Sequence, residues 1–305
     1  MNELLPKARE LLEKGLTEDA MKVLAELKSL ASTPMGTDFL RAKCFLALGK
    51  KYEGTARECL KEELRLNPKN EEAELLYNEL FPSVDLEAYC ESPKFQAIAS
   101  KLSFHTMMPM RHLLNLFENA NAVLRENIPG NFVECGVAAG GSSALLGALI
   151  AESDSPNRRC YSFDTFSGMP APGSEDRANG QDAQSSCWGQ GTCSAPMESL
   201  LDACRRVGSE SFVKPIPGLF EETLGAHVDE IAQIAFIHVD CDWYESTLCV
   251  LENLFPLLSP GARVILDDYD YWDGVRKAYE EFSIEQGLNY PLVKLTPNTA
   301  LIVKT

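Results

Sequence analysis

Hydrophobic positions divide the chain into two regimes. Over residues 1–80 apolar side chains recur three and four positions apart between short polar turns, which predicts amphipathic helices and an all-α domain. Ala20 and Leu24 recur as Ala56 and Leu60, and Pro68 follows the second copy. The spacing is close to the ~34-residue period of the tetratricopeptide repeat. The large aromatic and the glycine of that repeat's first helix are not clearly present, and such arrays usually need more than two copies. A plain helical cap is therefore the alternative. Residues 81–104, with FPSVDLEAYCESP near their start, read as a linker, and 105–305 as the second domain.

That second domain opens on an amphipathic helix carrying Leu113, Leu114, Phe117 and Val123, which Pro129-Gly130 stops. Short apolar runs then alternate with helical stretches. Strands are predicted over 132–137, 160–164, 212–216, 235–240 and 263–267, with helices over 196–207, 245–258 and 274–286. This alternation predicts an α/β fold with a mostly parallel, Rossmann-like sheet covered by helices on both faces. The last apolar runs flank Pro297-Asn298 and predict an antiparallel C-terminal hairpin. Residues 169–195 are rich in Gly, Ser and Asp and too long for a simple connection, so they are a candidate lid.

Composition narrows the partners. The net charge is −17 and the pI about 4.7, which disfavours nucleic-acid backbones and anionic membranes. A small-molecule or protein partner fits better. No apolar run has the length of a membrane span and the first residues do not read as a signal peptide, so a cytoplasmic protein is expected. The ten cysteines have no CxxC or metal-finger spacing and read as reduced thiols. Cys187 and Cys193, in a polar glycine-rich stretch, are the one pair for which another role is open.

Candidate chemistry gathers at predicted strand ends, the ligand edge of an open α/β sheet. Asn131–Gly147 joins a buried strand, a turn with Gly136, Gly140 and Gly141, and a helix start. Backbone can approach a nucleotide-like ligand closely there. An ordinary packing turn is the bland alternative. The turn lacks GxGxxG, and Glu134 adds negative charge where a pyrophosphate would lie. A cationic ligand fits better, and S-adenosylmethionine has a sulfonium, an ammonium and a ribose that Asp164 can accept. Asp240, Asp267 and Asp268 end neighbouring strands, and such crowded carboxylates suit a hard cation such as Mg²⁺. Helix capping is the alternative for some of them, above all for Asp242. His238, two residues before Asp240, shares its side of the strand.

The motifs NIPGNFVECGVAAGGS, SFDTFSGMPAP, GLFEETL, HVDCDWYEST and SPGARVILDDY stand in order over roughly 105–285. This series resembles the macrocin O-methyltransferase family, which acts on sugar hydroxyls of macrolides and aminocoumarins. The resemblance implies a class I methyltransferase sheet and a Mg²⁺-dependent, S-adenosylmethionine-dependent O-methyltransferase. Its acceptor would be a hydroxyl of a sugar or glycosylated small molecule, in natural-product or surface-glycan tailoring. It further implies that Glu134, Gly136, Gly140 and Ser142 line the methionine part of the donor and that Asp164 holds its ribose. Thr106 and Met107 would close over the donor. Asp240, Asp267 and Asp268 would hold Mg²⁺, with Asp240, or else His238, as general base. The chain departs from the family at Ala138-Ala139, where a Trp and a basic residue are usual, and at its C-terminus. Its N-terminal helices are extra, and offer a surface for self-association or a protein partner. Two other readings are an inactive methyltransferase-like interaction module and a nicotinamide oxidoreductase, the latter disfavoured by the missing phosphate turn.

Overall fold

The structure is a computed structural model that describes residues 3–28, 30, 33–80, 90–178, 180–183 and 188–305. The chain forms two compact units, Met1–Asp85 and Leu86–Thr305.

The first unit is helical: α1 Leu4–Glu13, α2 Thr17–Lys28, α3 Thr37–Ala47, α4 Glu53–Leu66 and α5 Glu71–Leu80. The repeated positions Ala20, Leu24, Ala56 and Leu60 are all fully buried. The alanines at two of these points let helices approach closely, and the leucines fill the space between them. The buried Glu63 carboxylate on α4 accepts from Gly36 N, Phe39 N and the side-chain amides of Asn67 and Asn70. It thereby satisfies backbone donors that the start of α3 leaves without helical partners.

The second unit begins with α6 Pro93–Lys101 and α7 Met110–Arg125. Helix α6 lies inside the stretch read as linker; residues 81–89 of that stretch fall outside the described residues. Ser92 caps it by accepting from Phe95 N, Pro93 opens it, and buried Phe95 meets Phe117 edge to face at 5.3 Å. There follow β1 Asn131–Cys135, α8 Gly141–Ala151, β2 Cys160–Asp164, β3 Arg177–Ala178, β4 Gln181–Asp182, α9 Met197–Val207 and β5 Val213–Pro217. Next are α10 Phe220–Ile231, β6 Ile234–Val239, α11 Tyr244–Leu254, β7 Leu258–Leu266, α12 Asp273–Glu285, β8 Leu292–Lys294 and β9 Ala300–Val303.

Seven strands form one sheet in the order β5-β2-β1-β6-β7-β9-β8. The first five are mutually parallel; β9 runs antiparallel to β7 and to β8, so the sheet ends in the expected hairpin. Alternation along the strands splits the core by face. Phe132 and Phe236 pack with α7, α8 and α9 residues such as Leu113, Leu145 and Leu200, whereas Val133, Ile237 and Val239 face Leu224, Leu251 and Phe282 on α10, α11 and α12. Helix α8 is buried along nearly its whole length, which explains its lack of a polar face. Strand order reverses at β1: β2 and β5 lie to one side, β6 and β7 to the other. The crevice at the C-terminal ends of β1 and β6 is the ligand position this topology provides. Among the described residues no helix is long and apolar enough to cross a membrane. The thiols of Cys135 and Cys160 are fully buried and pushed well up by that burial, as expected of packed, reduced cysteines. Cys187 lies outside the described residues, so its pairing with Cys193 has no structural account.

Candidate active site

The glycine turn is shaped by two close approaches. Gly136 has φ +88°, and a Cβ there would lie 1.8 Å from the carbonyl oxygen of Asp240 at the end of β6. Only glycine lets the ends of β1 and β6 meet this closely. Gly141 N–H donates to His105 O at 2.7 Å, and a Cβ on Gly141 would stand 2.5 Å from that oxygen. The segment before α7 is thus held on the start of α8, with Thr106 Oγ1 accepting from Met108 N. Met107 and Met108 are thereby set into the wall of a cavity of about 750 Å³.

Gly136, Ala138, Asp164 and Thr165 line that cavity on the β1–β2 side; Asp240, Asp242, Asp267 and Asp268 line it on the β6–β7 side. Asp164 accepts from Val137 N and Ala138 N on Oδ2 and from Phe166 N on Oδ1. It therefore fixes the glycine turn while facing the cavity. Thr106, Glu134, Gly140, Ser142 and His238 are not among the residues that line it. Glu134 is fully buried, and its carboxylate is occupied by His238 Nδ1 at 2.8 Å and by Ser143 Oγ. The structure thus gives Glu134 a buried histidine partner.

The acidic residues separate into two groups that share Asp240. Side-chain ligand atoms of His238, Asp240 and Asp267 lie within 4.8 Å of one another, and so do those of Asp240, Asp242 and Asp268. The adjacent Asp267 and Asp268 diverge. Asp267 accepts from Thr299 Oγ1 at 2.6 Å and pairs with His112 Nδ1 at 3.1 Å, whereas Asp268, at φ +52°, turns toward Asp242. Burial pushes the Asp240 carboxyl well above the usual carboxylate range, and the charges of Asp267, Asp242 and Asp268 add to it. Burial, with Asp242 and Asp267, pushes Asp268 up to about 8. Burial alone would raise Asp267 too, but His112, His238 and Thr299 hold it below its ordinary value. The hydrogen bond to Asp267 in turn raises His112.

His112, on the first turn of α7, lines the cavity and escaped the sequence reading. The available signal was one of only four histidines, placed just after Met108-Pro109. Asp242 is not a helix cap: it accepts from Trp272 Nε1 at 2.9 Å. The start of α11 is capped instead by Asp176, whose Oδ1 accepts from Tyr244 N and whose Oδ2 accepts from Gly173 N. With Trp243 Nε1 donating to Pro170 O and Lys277 paired with Glu175, Asp176 ties the described part of the expected lid down as a cavity wall. Asp176→Ala is expected to leave two inward N–H groups unpaired. It should cost about 1–3 kcal/mol in denaturant melts and speed proteolysis within 169–195. Unchanged melts and cleavage would mean the wall is held elsewhere.

A parallel sheet with a crevice at its switch point, a glycine turn without a phosphate cradle and acidic strand ends make an α/β protein with a small-molecule site at its strand ends. The protein is an S-adenosylmethionine-dependent O-methyltransferase. The chain belongs to the Macrocin-O-methyltransferase (TylF) family, whose sequence profile matches residues 84–302. It is 35% identical over 193 residues, 63% of this chain and 72% of the relative, to 8-demethyl-8-(2,3-dimethoxy-α-L-rhamnosyl)-tetracenomycin-C 4′-O-methyltransferase of Streptomyces olivaceus. It is 31% identical over 179 residues, 58% of this chain and 67% of the relative, to demethyldecarbamoylnovobiocin O-methyltransferase of Streptomyces niveus. Its fold matches the O-methyltransferase NovP with a TM-score of 0.59 at 27% identity, covering 66% of this chain and 82% of that one.

Proposed function

We propose that the protein methylates a hydroxyl of a sugar or glycosylated small molecule, assisted by a divalent metal ion. One observation carries this reading: a single cavity joins the Gly136–Asp164 wall to the carboxylates of Asp240, Asp242, Asp267 and Asp268. The names of the relatives, one a rhamnosyl-tetracenomycin methyltransferase, support a glycoside acceptor. Trp188, Tyr271 and Trp272 add aromatic surface on the same cavity, suited to the apolar face of a sugar ring.

The donor set fits Mg²⁺. The carboxylates are crowded, burial and mutual repulsion hold Asp240 and Asp268 above the ordinary carboxylate range, and a cation would relieve that repulsion. Asp240, Asp267 and Asp268 are the ligands the family resemblance suggests, with Asp242 beside them. A metal held there would supply Lewis acidity, lowering the pKa of a hydroxyl bound to it. The cavity also fits S-adenosylmethionine, which supplies an already electrophilic methyl group. In this reading Asp164 accepts from the ribose, Gly136 and Ala138 let the donor lie against backbone, and Met107 and Met108 exclude water. Thr106, Gly140 and Ser142 shape the turn from behind. Asp240 takes the proton of the acceptor hydroxyl, and His238, the other candidate base, is held by Glu134 within the sheet. Most of the acceleration comes from holding the acceptor oxygen in line with the methyl carbon.

Labelled donor offered with a panel of glycosides, with and without Mg²⁺, tests the reading; methyl transfer to free aglycones alone would sink the sugar assignment. Asp164→Asn keeps the shape but removes acceptor capacity, and should weaken donor binding roughly ten- to a hundredfold by calorimetry. An unchanged dissociation constant takes Asp164 out of the site. The N-terminal unit fits a pair of tetratricopeptide-like hairpins, with Ala20, Leu24, Ala56 and Leu60 where helices touch, and would serve a protein partner or self-association.

A further inference from the structure

His105 is 2% exposed and stands outside the cavity lining, just before the residues that wall the cavity between α6 and α7. Its ring Nε2 lies 3.1 Å from Asp202 Oδ2 on α9. A carboxylate only accepts, so Nε2–H is the donor of that bond. Burial alone would raise the Asp202 carboxyl, but His105 and Arg206 hold it below the usual carboxylate range. Arg206 Nε donates to the same oxygen at 2.6 Å, and its guanidinium sits 5.7 Å from the centre of the Phe104 ring. Phe104 and His105 are thus clamped to one turn of α9. His105 Nδ1 is buried with no hydrogen-bond partner among the described residues, so the bond to Asp202 is what orients the ring.

The same stretch touches the glycine turn. Gly141 N–H donates to His105 O, and a Cβ on Gly141 would stand 3.0 Å from Thr106 Cβ. Helix α9 packs on that turn as well, since a Cβ on Gly140 would lie 2.5 Å from Leu200 Cα. Met107, Met108 and Pro109 follow and line the cavity. They belong to no helix or strand, so their place depends on what holds the chain at either end. We propose that His105 is a positioning residue for the methyl donor: bonded to Asp202, it pins the chain before Met107 and holds that segment over the donor. This rests on the reading above that Met107 and Met108 cover the donor, and adds the residues that keep them there. A segment already in place spares the donor the entropy of ordering it. The carboxylates at the ends of β6 and β7 stand on other elements and keep their geometry when the anchor is cut.

Calorimetry of the full chain with S-adenosylmethionine and, separately, with Mn²⁺ tests this. His105→Leu should weaken donor binding roughly tenfold and leave Mn²⁺ affinity within about twofold. His105→Gln, whose side-chain amide can donate to Asp202 in place of Nε2–H, should recover most of the donor affinity. Asp202→Ala should weaken the donor as His105→Leu does, and the double variant should be no weaker than Asp202→Ala alone, because both changes break one bond. Met107→Ala tests the reading underneath and should also weaken the donor. An unchanged donor constant in His105→Leu overturns the proposal; if Met107→Ala is weakened the cover still stands, and if it too is unchanged both fall. Equal losses of donor and Mn²⁺ affinity, or no recovery in His105→Gln, would reduce His105 to a packing residue. If His105→Leu does not fold, Arg206→Gln, which loosens Asp202 from a partly exposed position, decides by the same comparison, with a loss of donor affinity expected and none overturning the proposal.

Discussion

Stripping divalent cations with EDTA is expected to abolish methyl transfer, leave donor binding within about twofold, and lower the melting temperature by an amount that grows with pH. The cause is the carboxylate group at the ends of β6 and β7. At about 4 Å two like charges repel by roughly 4 kcal/mol near a protein surface. Burial and that repulsion push Asp268 up to about 8. Because its folded pKa lies above the unfolded one, Asp268 contributes stability that is complete below the unfolded value, near 4, and is lost as pH rises through about 8. A cation needs these groups deprotonated, so it binds better over the same interval and replaces the stability that ionisation removes. At a hundredfold over its dissociation constant it adds about 2.7 kcal/mol, or roughly 5–10 °C for a unit of this size. Melts from pH 5 to 8 with EDTA or with added Mn²⁺ or Mg²⁺ measure the gap. Full turnover in EDTA with a verified acceptor would refute the metal's role, and a pH-independent gap would refute the cluster as its site.

Gly136→Ala is the second large effect. The added Cβ would lie 1.8 Å from Asp240 O, a backbone atom that no side-chain rotation can move away. The residue would also be held at φ +88°, where only glycine is unstrained. Backbone strain of about 1–3 kcal/mol and overpacking of similar size predict a loss of roughly 2–6 kcal/mol. To relieve the contact, β1 and β6 must separate at the point where the two walls of the cavity meet. Donor affinity and metal affinity should therefore fall together, whereas Asp164→Asn should affect the donor alone. A variant with wild-type melting and ligand binding would show that the strand ends tolerate displacement.

Much of the architecture was legible in the order of apolar runs. Period-two and helical patterns located β1, β2, β5, β6, β7 and the terminal hairpin within a few residues, because half-buried elements must repeat with their own geometry. Helix α6 was missed, being short and placed beside a proline-rich stretch that reads as a break, although Ser92-Pro93 is itself a helix start. The 169–195 segment read as a lid from length and polarity. Asp176, Trp243 and Lys277 make its described part a wall, and nothing local in the sequence announces those distant partners.

The chain's own order of residues determined which side chains end strands, and hence that Asp164, Asp240, Asp267 and Asp268 crowd one edge of a sheet. Strand direction and alternation suffice for that. Only the tertiary structure decided how those residues are shared out. Asp267 and Asp268 diverge because one backbone turns left-handed at the strand end. Glu134 and His238 become partners because β1 and β6 are neighbours in a particular register. His112 reaches Asp267 across 155 positions of sequence because α7 packs over β6 and β7. Register and the packing of distant elements are global properties, set by burying both faces of the sheet at once.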